Sequence, residues 1–169
     1  DNSWKNASWM PMAEPHFHDG SLYYYLVTHD GLTNYFISVA SSTDEVNFTI
    51  PTNYILEGYS IVYVTSYNGV FHMLAQDSGT LLWDYIPGSS PTTFDQNKKV
   101  TLDLENMINT GSGWDSVEYK LRSNLLRIAG IESMNDKLYI FYMAGDMDFP
   151  GSAPNNSARG IGYLTVDLK

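Results

Sequence analysis

The 169-residue chain contains no cysteine. Disulfide scaffolds, thiol nucleophiles and thiolate-built zinc or iron–sulfur sites are therefore excluded. Basic residues are scarce: nine against nineteen acidic, for a formal charge of −10. The deficit is concentrated. Residues 1–97 carry one basic residue, Lys5, against ten acidic ones, while residues 98–169 carry eight against nine. Binding a phosphate backbone needs a lysine or arginine stripe, so no nucleic-acid partner is expected. An anionic membrane surface is disfavoured for the same reason. Neutral sugars, cations or a basic partner stay compatible. No run of eighteen apolar residues occurs, so no membrane-spanning helix is expected. G-x-S-x-G, P-loop and G-x-G-x-x-G motifs are all missing. The chain opens on Asp1 rather than Met; a leader removed ahead of it would make the protein secreted or extracellular.

Helical periodicity is also missing from every window of eleven residues or more. Short β-branched and aromatic runs between Gly, Asn, Asp, Ser and Pro clusters take its place, which is the all-β pattern. Strands are expected over Ser21–Thr28, Tyr35–Ser41, Ser60–Thr65, Val70–Gln76, Thr80–Ile86, Val117–Arg122, Leu125–Ile131, Lys137–Met143 and Gly160–Leu168. Lys99–Leu104 alternates like a strand, and Leu104–Asn109 fits a short helix. Asn68-Gly69 is a strong hairpin signal because both residues tolerate positive φ. Pro87–Lys98 and Gly145–Ala158 read as long loops, which are often functional.

A tight turn entering an aromatic-rich strand recurs three times: Asp19-Gly20 before Ser21–Leu26, Asn68-Gly69 before Val70–Leu74, and Asn135-Asp136 before Lys137–Tyr142. Periods of about 40–50 residues with roughly four strands each mark a β-propeller blade. Three blade-like units follow, about 13–50, 58–95 and 117–169, in one all-β domain or a fragment of a larger propeller. A β-barrel or β-sandwich is the alternative.

The first unit carries the most. Ala13-Glu14-Pro15-His16-Phe17 is followed by Asp19-Gly20, Tyr23-Tyr24-Tyr25-Leu26 and then Ile37-Ser38-Val39-Ala40-Ser41-Ser42-Thr43-Asp44-Glu45-Val46-Asn47-Phe48. This stretch of about 36 residues resembles a blade of the five-bladed propeller glycoside hydrolases, families 43, 32 and their relatives. The later copies match only the turn and strand. The resemblance implies an inner strand whose acidic residue, Glu14, points into a central funnel as a catalytic acid or base. Glycoside hydrolysis needs a second carboxylate roughly 5–10 Å away. Positions equivalent to Glu14 fall on Val62 and Gly130, neither of them acidic.

Further candidates stand beside plainer readings. His16 and His18 share one strand face, and a polar face is favoured over a metal site there. His72 is expected as a paired surface or rim residue. Tyr59 and Arg127 are the inner-strand side chains that, with His16, would line the funnel and hold sugar hydroxyls. Trp83 offers a flat ring of the kind that stacks on sugars. Asp146, Asp148, Asn155 and Asn156 could supply oxygens to calcium but lack EF-hand spacing; no cofactor is expected and calcium is the alternative. Asn6, Asn47 and Asn155 sit in N-x-S/T sequons.

Three functions are compatible: a carbohydrate-active, glycoside hydrolase-like propeller protein; a non-catalytic glycan-binding or self-associating module; and a small-ligand carrier in a β-barrel. An incomplete propeller would need a second copy or a second chain to cover its open strands.

Overall fold

The computed structural model describes residues 8–10, 15–29, 34–49, 53–107, 127–145 and 159–168. The chain divides into two compact units, Asp1–Leu102 and Asp103–Lys169. Strands dominate, every pairing is antiparallel, and no sheet closes into a barrel among the described residues. The barrel alternative is corrected accordingly: among the described residues each sheet keeps open edges.

The first unit holds two sheets. In the first, β3 (Ser21–His29) pairs with β4 (Tyr35–Ser42), and β4 with the two-residue β5 (Leu56–Glu57). The far edge of β3 is shared by two short strands, β2 (Pro15–His18) against Ser21–Tyr24 and β1 (Ser8–Met10) against Val27–His29. The second sheet orders β6 (Tyr59–Tyr67), β7 (Val70–Asp77) and β8 (Trp83–Ser90). The far edge of β8 is likewise shared, by β9 (Thr93–Phe94) and β10 (Val100–Leu102).

Alternation explains how these sheets meet. Tyr25 and Val27 on β3 stand opposite Val39 and Ile37 on β4. They bury against Val62, Val64, Phe71, Met73 and Ile86 of the second sheet. With a side-chain period of two, the sequence gives each sheet one apolar face. The hydrophobic effect presses those faces together.

The expected hairpin turns carry positive φ at both positions: Asp19 and Gly20 (47° and 73°), Asn68 and Gly69 (51° and 76°), Asn135 and Asp136 (54° and 58°). Each joins strands whose flanking residues are paired directly, as in His18 with Ser21. Such turns match the natural twist of a hairpin, and Gly, Asn and Asp bear them at least cost.

Two sequence expectations change. Thr80–Ile86 becomes a strand only from Trp83. The Asp77 carboxylate accepts the Gly79 and Thr80 N–H groups and the Thr80 hydroxyl, which lengthens the turn through Leu81. Pro87–Lys98, expected as a loop, continues β8, adds β9 and ends in a 3₁₀ turn at Gln96–Lys98. Pro87 is tolerated there because its carbonyl accepts from Asp95 N. Its nitrogen faces the same side, in the gap between β9 and β10, where no donor is required. Lys99–Leu104 and Leu104–Asn109 resolve into β10 and a one-turn helix, α1 (Leu104–Met107).

The second unit contains α1 and a three-stranded sheet, β11 (Arg127–Met134), β12 (Lys137–Gly145) and β13 (Arg159–Asp167). Ile128, Ile131, Leu138, Ile140 and Tyr142 bury one face of it. On the other face Phe141, Ile161 and Tyr163 are exposed.

Candidate functional site

Pro15–His18 is the strand on which the sequence places its strongest candidates. Glu14, immediately before it, lies outside the described residues, as do Asn6, Asn155, Asp146 and Asp148. Pro15 opens β2 opposite Tyr24, a position on the sheet edge where a missing N–H costs nothing. His16 and His18, two residues apart, project from the same face of β2. Their rings stack with centroids 6.3 Å apart, and both stand edge-on to Phe71, at 5.7 and 4.7 Å. His16 Nε2 lies 3.1 Å from Ser66 Oγ, which ties the first sheet to the end of β6. His18 Nε2 lies 3.2 Å from the exposed Asp19 carboxylate. The two imidazoles and the serine form a half-buried polar group beside one aromatic ring, able to donate to and accept from hydroxyls.

Tyr59 is elsewhere. It opens β6, whereas Ser66 is near the other end, and the seven residue steps from one to the other span about 23 Å of strand. His16 and Tyr59 therefore do not share one site. Tyr59 is buried, and its hydroxyl donates to Asp84 Oδ2 at 2.9 Å. Trp83 is buried as well, with its ring 6.1 Å from that of Tyr63. Arg127 is the first residue of β11, opposite Met143, in the other unit. Asn47 is exposed, but its amide and backbone N–H both bond the Asp44 carboxylate.

Asp44 is the organising residue of the turn after β4. It accepts from Val46 N, Asn47 N, Asn47 Nδ2 and Ser42 Oγ. Those bonds, led by the Asn47 backbone N–H, hold its carboxyl well below the usual carboxylate range.

The polar cluster that sequence reasoning missed centres on Asp84, which is 2% exposed. It accepts from Lys99 Nζ at 2.7 Å, Thr101 Oγ1 at 2.6 Å and Tyr59 Oη at 2.9 Å. Burial alone would raise its pKa; the bonds from Lys99, Thr101 and Tyr59 outweigh that and lower it. Tyr59 is raised by its own burial and by its bond to Asp84, and Lys99 is raised by its bond to Asp84. A carboxylate held ionised by three donors cannot serve as a general acid. Asp84 locks β6, β8 and the chain entering β10 together. Lys99 and Thr101 alternate on one face, which was the available signal; the pairing of Thr101 with Asp84 was not readable without the register.

His72 departs from its expected rim position: it is 4% exposed. Its Nδ1 lies 2.8 Å from Tyr85 Oη, while its Nε2 is buried without a hydrogen-bond partner. Burial lowers its pKa. Among the described residues no group of three or more His, Asp or Glu is arranged to hold a metal ion.

No protein-family model matches the chain, and no curated protein matches it in sequence.

Proposed function

We propose that this chain is a carbohydrate-active protein built from propeller-type blades, related in design to the glycoside hydrolases it resembles, and that it binds or cleaves glycans at β2. One observation carries the reading. Residues 15–48 of the resemblance fall, in order, on β2, a two-residue turn, β3, β4 and a side-chain-capped turn at Asp44, an antiparallel up-and-down order that supports a blade-type reading. Glu14 stands directly before Pro15 and is the candidate acid or base; His16 and His18 are the candidate hydroxyl ligands. The acidic first half suits a neutral sugar.

Hydrolysis by paired carboxylates needs a partner for Glu14. Asp84 is committed to Lys99, Thr101 and Tyr59, which favours glycan binding without cleavage as the second reading.

The test pairs product analysis on a panel of neutral polysaccharides with a glycan-binding array. Glu14→Gln should lower product release by about a hundredfold or more while sparing binding. His16→Ala should weaken both. Binding without release selects the second reading. A protein that neither binds nor cleaves any glycan overturns the proposal.

A further inference from the structure

The turn between β6 and β7 consists of Asn68 and Gly69, and it is the one place in the sequence where glycine follows asparagine. Both residues are exposed, with φ of 51° and 76°. Tyr67 and Val70 pair directly on either side of them, so the turn is type I′. Among the described residues the Gly69 N–H makes no hydrogen bond, and nothing lies within 4 Å of the place a Cβ would take on Gly69. An unhindered amide nitrogen next to an asparagine side chain is the attacking group of succinimide chemistry. The turn itself withholds it. Type I′ sets ψ of its first residue at about +30°, the mirror image of type I. At that angle the Gly69 nitrogen stands anti to Asn68 Cβ, whereas closing a five-membered ring needs the two eclipsed. The neighbours give the position its weight. One pair further into the hairpin, Ser66 stands opposite Phe71. Ser66 Oγ lies 3.1 Å from His16 Nε2, and Phe71 is the ring that His16 and His18 meet edge-on.

We propose that Asn68 is a deamidation site, latched by the folded turn, whose conversion dismantles the wall that Ser66 and Phe71 give to the histidine pair. When the hairpin tip opens, the Gly69 nitrogen attacks Asn68 Cγ. The new C–N bond closes a succinimide; the nitrogen gives up its proton, and the side-chain NH2 takes one and leaves as ammonia. Water then adds to either imide carbonyl and breaks its bond to the ring nitrogen, giving aspartate or isoaspartate at position 68. Nothing is oxidised or reduced. Isoaspartate carries the chain through its side-chain carboxyl, so the backbone path gains one methylene. In a two-residue hairpin the turn geometry fixes the register. The longer path cannot close as type I′ between Tyr67 and Val70, and the next pair inward, Ser66 with Phe71, loses its alignment. Those two side chains are the ones that meet β2, so the histidines lose their partners and do not regain them. The step is a one-way retirement of the site. That it ends glycan binding rests on β2 being a glycan site; the modification and the loss of the contacts do not.

Incubation of the full chain at mildly alkaline pH, followed by peptide mapping with an isoaspartyl methyltransferase, reads the modification. Isoaspartate should accumulate at position 68 ahead of every other asparagine. It should form about tenfold or more faster in urea than in the folded protein, the factor set by the cost of opening the turn. In the converted protein the nuclear Overhauser contacts of the His16 and His18 rings with Phe71 should disappear. Asn68→Gly removes the amide and accepts positive φ, so it should keep those contacts after the same incubation. Isoaspartate absent from position 68, equal rates in the folded and unfolded chain, or contacts that survive full conversion would each overturn the proposal. If Asn68→Gly fails to fold, fresh and converted fractions of the unmodified protein, separated by the added negative charge on ion exchange, supply the comparison. Glycan binding is measured on the same two fractions. Binding in the fresh fraction alone extends the retirement to function, and equal binding in both overturns it. Binding in neither removes the glycan site and leaves the chemistry at position 68 standing on its own readouts.

Discussion

Asp84 and Lys99 meet at 2.7 Å on the core-facing side of the second sheet, fifteen residues apart in sequence and on opposite sides of the turn that carries β9. The carboxylate is almost fully buried, whereas the lysine is 41% exposed. The pair is thus asymmetric. Losing the lysine strands a buried anion, while losing the carboxylate frees an ammonium that can turn to water. Lys99→Met should therefore destabilise more than Asp84→Asn, the latter by about 2 kcal/mol. Urea titrations with unchanged m-values would measure both. Equal losses would mean that the two hydroxyl donors carry the site without the lysine.

Acid should weaken the fold in two separate windows. His72 is buried with its pKa below the ordinary 6.5, so below that value the unfolded chain takes up a proton that the folded protein refuses. Stability then falls as pH drops from about 6.5, by at most about 1.4 kcal/mol per pH unit from this residue. Asp84 acts lower. Its pKa is depressed from 3.8, so its contribution is complete above that value and disappears as pH falls through the folded pKa. His72→Leu should flatten the pH 5–7 segment of the stability curve and leave the acid limb in place. A slope between pH 5 and 7 identical to that of the unmodified protein would remove His72 from the account.

Tyr25 binds the two sheets of the first unit through one hydrogen bond: its hydroxyl donates to Pro91 O at 2.9 Å. The side chain is fully buried, and burial raises its pKa far above the ordinary phenol value. Tyr25→Phe should cost about 1 kcal/mol, because the Pro91 carbonyl loses its donor. Hydrogen exchange should quicken at Thr93–Asp95. Unchanged exchange there would show that β9 is held without this bond.

Gly88 supports the same corner. A Cβ at this position would lie 2.8 Å from both Phe94 Cδ1 and Thr93 O. Since Phe94 packs against the core, neither neighbour can withdraw freely. Gly88→Ala should lower stability by about 1–3 kcal/mol. Gly79→Ala, where the nearest atom is 3.5 Å away, is the matched control and should stay within about 0.5 kcal/mol. Thermal unfolding of the two variants side by side checks the contrast.

The sequence was most readable where local chemistry decides. Alternation at Tyr25, Val27, Ile37 and Val39 marks the buried face of the first sheet, and Asp19-Gly20, Asn68-Gly69 and Asn135-Asp136 mark turns because few residues accept their φ. It was least readable where a side chain replaces a backbone partner. Asp77 captures the N–H groups of Gly79 and Thr80 and so delays a strand that propensity alone would start at Thr80. Pro87 hides inside β8 because its missing donor falls in a gap between two short strands, which no linear pattern reveals. The candidate site divides the same way. His16 and His18 share a face by strand geometry alone. That Tyr59 serves Asp84 rather than joining His16 depends on the antiparallel register, and register is a non-local property.

Gly162 stands directly opposite Tyr142, and a methyl group added to it would lie 2.5 Å from the tyrosine Cζ and hydroxyl. The ring occupies the volume that a side chain on β13 would fill, an arrangement by which an aromatic residue compensates a strand glycine. Two positions twenty residues apart are thereby bound into a single inheritance. Among descendants of this sequence, residue 162 is free to gain a side chain only where residue 142 has first become small. The two columns should change together, in that order, even where every neighbouring position drifts independently.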